Sequence, residues 1–189
     1  MADPMKNFSN FIELVKHRES VRAYNTTEVS RDSIERCLEA ARLAPSACNA
    51  QPWKFIVVDD PVLKNALADA TQDRLIPMNH FTKQAPVHIV VVREKANLTS
   101  NIGQIIKNKE YPLIDIGIAV EHLCLQAVEE GLGTCIIGWF NEKKVKKLLG
   151  IPVNKRAELM ITLGHPANEK IREKRRKTLE EISVYNKYA

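Results

Sequence analysis

From Leu113 to Gly131 the chain runs LIDIGIAVEHLCLQAVEEG. Its apolar residues fall on nearly every side of a 3.6-residue helix rather than along one stripe, and Gly131 supplies the stop. A helix of that kind needs cover all round. The sequence therefore predicts a helix over 113–130 buried through the middle of the domain, with layers on both sides.

Those layers can be read on either side of it. Short β-branched runs at Phe55–Val58, Val87–Val92, Cys135–Ile137 and Leu159–Leu163 read as buried strands. Phe8, Phe11, Ile12 and Val15 have the i, i+3, i+4, i+7 spacing of a helix lying on a core, and Ile34, Cys37, Leu38 and Ala41 repeat it. Ser30 is a candidate N-cap for that second helix, and Pro45 enforces its stop. Asp60-Pro61 starts another helix carrying Leu63, Leu67 and Ala70 inward. Asn141 caps one more, ending at Gly150 before Pro152. Helices and strands mix without strict βαβ alternation, which favours an α+β fold with helices on both faces of one sheet. Residues 71–84 carry no periodicity and read as a lid or an excursion near a site.

With 189 residues the chain has room for one domain with a real core. Its composition, 44% hydrophobic and 27% charged, is that of a folded globular protein. No run approaches the ~20 apolar residues of a membrane span and no signal peptide opens the chain, so the expectation is a cytoplasmic protein without a membrane segment. Cys37, Cys48, Cys124 and Cys135 are scattered, as are the five histidines, so neither a disulfide framework nor a metal site is expected. No G-x-G-x-x-G follows a strand, and neither a P-loop nor a G-x-S-x-G elbow occurs. The basic run 170–177 lacks interleaved aromatics or a nucleic-acid motif, so no nucleic-acid partner is expected.

Three pieces of chemistry are left. Arg18-Glu-Ser-Val-Arg22 follows the first helix, and in extended backbone Arg18, Ser20 and Arg22 point to one side. Two guanidinium forks and a hydroxyl suit an anion such as phosphate. The second piece is the loop Ala44-Pro-Ser-Ala-Cys-Asn-Ala-Gln-Pro-Trp53, rich in small residues, prolines and amides. The third is the basic Lys174-Arg-Arg176.

In this order, with Asp115–Leu123 and Gly131–Phe140 between them, the motifs resemble the nitroreductase family of FMN-dependent oxidoreductases, along essentially the whole chain. The resemblance implies a three-layer α/β/α sandwich, a central mostly antiparallel sheet, and a domain-swapped homodimer with FMN sites at the interface. It implies that Arg18, Ser20, Lys174 and Arg176 hold the FMN phosphate and ribityl chain, and that Arg22 reaches the N1–O2 edge of the flavin. A fixed cation there stabilises the reduced ring. It places the backbone of Ile136, Ile137 and Gly138 against the central ring, with the Gly138 amide near N5. Pro45, Ser46, Asn49 and Gln51 then pack on the flavin held mainly by the other subunit.

The family usually carries serine or threonine where Ala47 and Cys48 stand. An amide from the middle segment also contacts the flavin in the family, and Asn79 is the nearest candidate. The implied activity is hydride transfer from NADH or NADPH through flavin N5 to a small organic acceptor, a nitroaromatic or a quinone, in ping-pong fashion. No protein acid or base is required for it. A dehalogenase or desaturating oxidase on the same fold, and a flavin-binding protein without turnover, are the alternatives.

Overall fold

The computed structural model describes residues 8–72, 78–95, 109–168 and 170–188. Four strands form one antiparallel sheet: β1 (Trp53–Val58), β2 (Val87–Arg93), β3 (Gly133–Ile137) and β4 (Arg156–Gly164), in the order β1-β2-β4-β3. Each expected strand is present and extends by one to three residues at an end, because cross-strand pairing continues past the apolar run. β2 is buried on both faces from Val87 to Val92, as a central strand under two helical layers must be.

Helices cover both faces. α2 (Arg31–Arg42) and α4 (Tyr111–Glu129) pack on one, around Ile34, Cys37, Ile89, Val91, Leu123, Ile161 and Leu163. α3 (Pro61–Ala70) and α5 (Glu142–Leu149) pack on the other, around Leu67, Val90, Cys135, Ile137, Val145 and Met160. The caps are those the sequence indicates. Ser30, Asp60 and Asn141 each accept from the N–H three residues on, and Gly150 ends α5 with φ 64°. Burial pushes the Cys37 thiol up to about 12, as befits a core cysteine.

Three expectations are corrected. α4 is not covered all round: Asp115, Ile116, Ala119, Val120, Leu123, Cys124, Ala127 and Val128 are buried, whereas Leu113 and Ile114 are exposed. By length and composition it could cross a membrane, contrary to the expectation that no run comes near one, but half of it is buried in this fold. The first helix, α1 (Phe11–His17), starts three residues late because Asn10 caps it, and none of its residues is buried. Phe11 is 64% exposed. Phe11 and Leu14 line a groove with Leu43 and Leu125, and no further layer of this chain lies over it among the described residues.

The chain after α1 runs along the outer edge of β3. Ser20 bridges Thr134 in parallel, Val21 N–H donates to the Thr134 carbonyl at 2.8 Å, and Tyr24 bridges Pro166. That approach needs a bare backbone at Gly133, where a Cβ would lie 2.5 Å from Val21 Cγ2. The Tyr24 hydroxyl is buried between the Val21 carbonyl and the Thr162 hydroxyl, which fastens the segment to β4 as well.

Candidate functional site

Running the chain along β3 brings its early arginines to the late basic tail. Arg18, Glu19, Ser20 and Arg22 line a cavity of about 330 Å³ together with Arg172, Glu173, Lys174, Arg175 and Arg176. Six cations therefore meet two carboxylates, and Glu19 is already engaged by Arg172. With Glu121 of α4 also beside Arg18, the excess of positive charge is still one that attracts anions. The Lys174 ammonium carries the mark of that crowding: burial first, then the neighbouring Arg18 and Arg176, hold its pKa below the usual lysine range.

The members of the cluster have different jobs. The Arg18 Nε is buried and sits 3.4 Å from a Glu121 carboxylate oxygen on α4 without a well-aligned hydrogen bond. Lys174 donates to the carbonyls of Val15 and Lys16, capping the end of α1. Arg22 and Arg176 are exposed at the cavity. Arg172 was missed in the sequence, where it is one cation in a run of them. Its guanidinium donates to the Ser20 carbonyl at 2.6 Å and to Glu19 Oε2 at 3.1 Å, and its own N–H reaches the same carboxylate at 3.2 Å. Only the fold reveals that it straps the two ends together.

β3 leads from this cluster to an open backbone. Cys135 and Ile137 are buried toward α3 and α5, so the alternation of the strand turns Ile136 to the other face, where it is exposed. Ideal Cβ atoms on Gly138 and on Gly117 of α4 would meet nothing within 4 Å. The backbone is therefore open to its surroundings at both glycines. Trp139, directly after Gly138, is 57% exposed.

The amide loop is elsewhere. It enters β1, at the sheet edge opposite β3, three strand spacings or about 14 Å away. Asp115 of α4 holds it by accepting from the Ala47 N–H at 3.1 Å, and Ser46 Oγ accepts from the Gln51 N–H at 3.0 Å. Cys48, Asn49 and Gln51 all have positive φ, between 46° and 52°. Asn tolerates that region and the others are less suited to it, so the loop is held in an uncommon shape by its anchors. Asn49 and Gln51 are exposed, with Gln51 Nε2 donating to Asn49 Oδ1 at 3.1 Å. Pro45, Ser46, Asn49 and Gln51 therefore gather at one sheet edge, and Arg18, Ser20, Arg22, Ile136–Gly138, Lys174 and Arg176 at the other. Among the described residues, no cluster of three or more His, Cys, Asp or Glu side chains is arranged to hold a metal.

Known proteins agree with this architecture. The chain is 35% identical to a crystal structure of a nitroreductase family protein from Clostridium novyi NT, with a TM-score of 0.73 and coverage of 87% of this chain and 89% of that one. An FMN-dependent nitroreductase from Clostridium difficile R20291 superposes with a TM-score of 0.77 at 28% identity, over 94% of this chain and all of that one (100%). By sequence it is 26% identical to an oxygen-insensitive NADPH nitroreductase of Helicobacter pylori J99, over 90% of this chain and 94% of that protein. It is also 26% identical to the iodotyrosine deiodinase of Thermotoga neapolitana, over 84% and 89% respectively. Residues 15–165 match the family model described as Nitroreductase family. With that match spanning the sandwich from α1 to the end of β4, the chain belongs to the nitroreductase family.

Proposed function

We propose that the protein is an FMN-dependent oxidoreductase that takes a hydride from NADH or NADPH and delivers it to a small organic acceptor, such as a nitroaromatic or a quinone. The observation that carries this reading is the cavity with six cations at one end of an edge strand whose other end is open above Gly138. A phosphate dianion answers the first feature and a planar ring the second. The bound flavin would supply two-electron chemistry at N5, so the chain itself need contribute no proton donor.

The residues present fit that division of labour. Arg18 and Arg176 would bind phosphate oxygens, and Ser20 and Lys174 would frame the phosphate and ribityl chain, Lys174 while still holding the end of α1. Arg22, exposed at the same cavity, would place its charge at the pyrimidine edge, where it favours the reduced, anionic ring. Ile136 would cover one side of the ring plane, and the Gly138 N–H would point at N5. Because NAD(P)H and acceptor would use the same open face in turn, ping-pong kinetics follow. A cytoplasmic location goes with use of that nucleotide pool.

A shared site in a homodimer belongs to the same reading. The amide loop and the cation cavity lie at opposite sheet edges of one chain, so a second copy is the natural source of Pro45, Ser46, Asn49 and Gln51 for each flavin. The exposed apolar residues of α1 and α4, and Leu179, Ile182 and Tyr185 in the tail, are surface that a partner would bury. A swapped tail accounts for the last three. The test is subunit mixing: Asn49→Ala chains with Arg18→Ala,Arg176→Ala chains. One tight FMN site per isolated heterodimer supports the shared site; two equally weakened sites refute it.

Turnover is tested by anaerobic titration of the flavin-loaded protein with NADH and NADPH. Bleaching of the visible band, recovered on adding a nitroaromatic or quinone, supports the oxidoreductase. A yellow protein that neither nucleotide bleaches would be a flavin carrier without turnover. The similarity to an iodotyrosine deiodinase keeps a dehalogenase as the second reading, and halide release from a halogenated phenol under the same conditions distinguishes it.

A further inference from the structure

We propose that Asn79 is a positioning residue that fixes the turn after Gly138, acting through the backbone carbonyls of Thr71 and Trp139. The inference rests on the flavin reading above for its consequence, but not for its geometry. Asn79 Nδ2 donates to the Thr71 carbonyl at 3.1 Å and to the Trp139 carbonyl at 3.3 Å. Both partners are acceptors, so only the NH₂ side of the amide can face them, and both of its protons are spent there.

The clamp is itself held. Asn79 sits in the left-handed region at φ 61°, which asparagine accepts more readily than most residues. Its carbonyl receives the Thr82 N–H at 3.1 Å and the Thr82 hydroxyl at 2.8 Å, and Thr82 is fully buried. The far side of the turn is tied to the same place, since the Asn141 N–H donates to the Ala70 carbonyl at 2.7 Å. Residues 139–141 are thus fastened to the C-terminal end of α3 at two points, Ala70 directly and Thr71 through Asn79. Gly138 has no side chain to hold it and nothing packed over it. Its N–H is aimed by its neighbours, and a misplacement of about 1 Å at such a donor can cost on the order of a hundredfold in rate.

Hydrogen exchange in the flavin-free protein reads the clamp, and flavin-loaded protein reads its consequence. Asn79→Gly keeps the left-handed conformation and deletes the amide, whereas Asn79→Asp keeps the shape and turns an acceptor toward two carbonyls. Both should speed exchange of the Asn141 N–H about tenfold, the effect of losing one to two net hydrogen bonds. Thr82→Val removes only the hydroxyl behind the clamp and should speed the same amide by a smaller factor. After FMN loading, Asn79→Gly should slow single-turnover hydride transfer from NADH about tenfold while FMN affinity stays within roughly threefold.

Unchanged exchange in all three variants overturns the proposal. So does FMN affinity weakened tenfold with exchange unchanged, because Asn79 would then be a flavin ligand. If the wild-type chain binds no FMN, the flavin reading fails, and the exchange rates still decide whether Asn79 holds the turn.

Discussion

Arg172 donates to the carbonyl of Ser20 at 2.6 Å, across 152 residues of sequence, and the same guanidinium reaches Glu19. The tail is thereby strapped to the segment that carries Arg18 and Arg22. Arg172 faces the cavity with its charge already committed, so its removal should act on the shape of the cavity. Arg172→Ala is expected to weaken FMN binding about tenfold and to open the tail beyond residue 170 to proteolysis, measured by flavin fluorescence and limited digestion.

Arg18 and Arg176 are expected to act on the phosphate itself. Alanine at either position should cost about ten- to hundredfold in FMN affinity, and riboflavin, which lacks the phosphate, should lose almost nothing. Equal losses for FMN and riboflavin in a titration would place these arginines elsewhere.

Arg22→Ala should lower the reduction potential of bound flavin more than it weakens binding of the oxidised form, since the lost charge matters most once the ring is reduced. Spectroelectrochemistry beside a binding titration separates the two effects. A large binding loss at unchanged potential would move Arg22 to the phosphate.

His88 gives the fold an acid limit. It is fully buried on β2, and burial, then the charge of Lys64, push its pKa down to about 4 from an ordinary 6.5. The unfolded chain takes up a proton near pH 6.5 that the folded one refuses until about pH 4, so stability is complete above 6.5 and falls as the pH drops between the two values. The loss amounts to about 3 kcal/mol by pH 4. Urea unfolding of wild type and His88→Leu across pH 4–7 checks this, because the variant should lack that part of the slope.

The four strands and the caps at Ser30, Asp60 and Asn141 were legible because each rests on local pattern, and the grouping of Arg18, Ser20 and Arg22 with Lys174 and Arg176 because the motifs, in their order, resemble those of the family. Two things were not. Periodicity shows that α1 and α4 have apolar faces but not which chain covers them, so Phe11 and Ile114 read as core and are exposed. Nor does spacing say where a hydrogen bond goes. Arg172 is indistinguishable from its basic neighbours until its partner 152 residues away is known, and the bonds of Asn79 to the Thr71 and Trp139 carbonyls have no signal in the sequence. The segment read as a lid over 71–84 turns out to contain that clamp, with 73–77 outside the described residues.

The strap between Arg172 and Ser20 also sets a timetable. Arg18 leaves the ribosome early and Arg176 late, and at roughly 5–20 residues per second the interval between them is on the order of 8–30 s. Until the tail emerges, the early arginines have no cavity to belong to, and a chain stalled before residue 172 cannot close one. On the proposed reading of that cavity, capture of the cofactor waits until residues 172–176 have been made, and a tightly bound flavin marks a polypeptide whose synthesis has passed them.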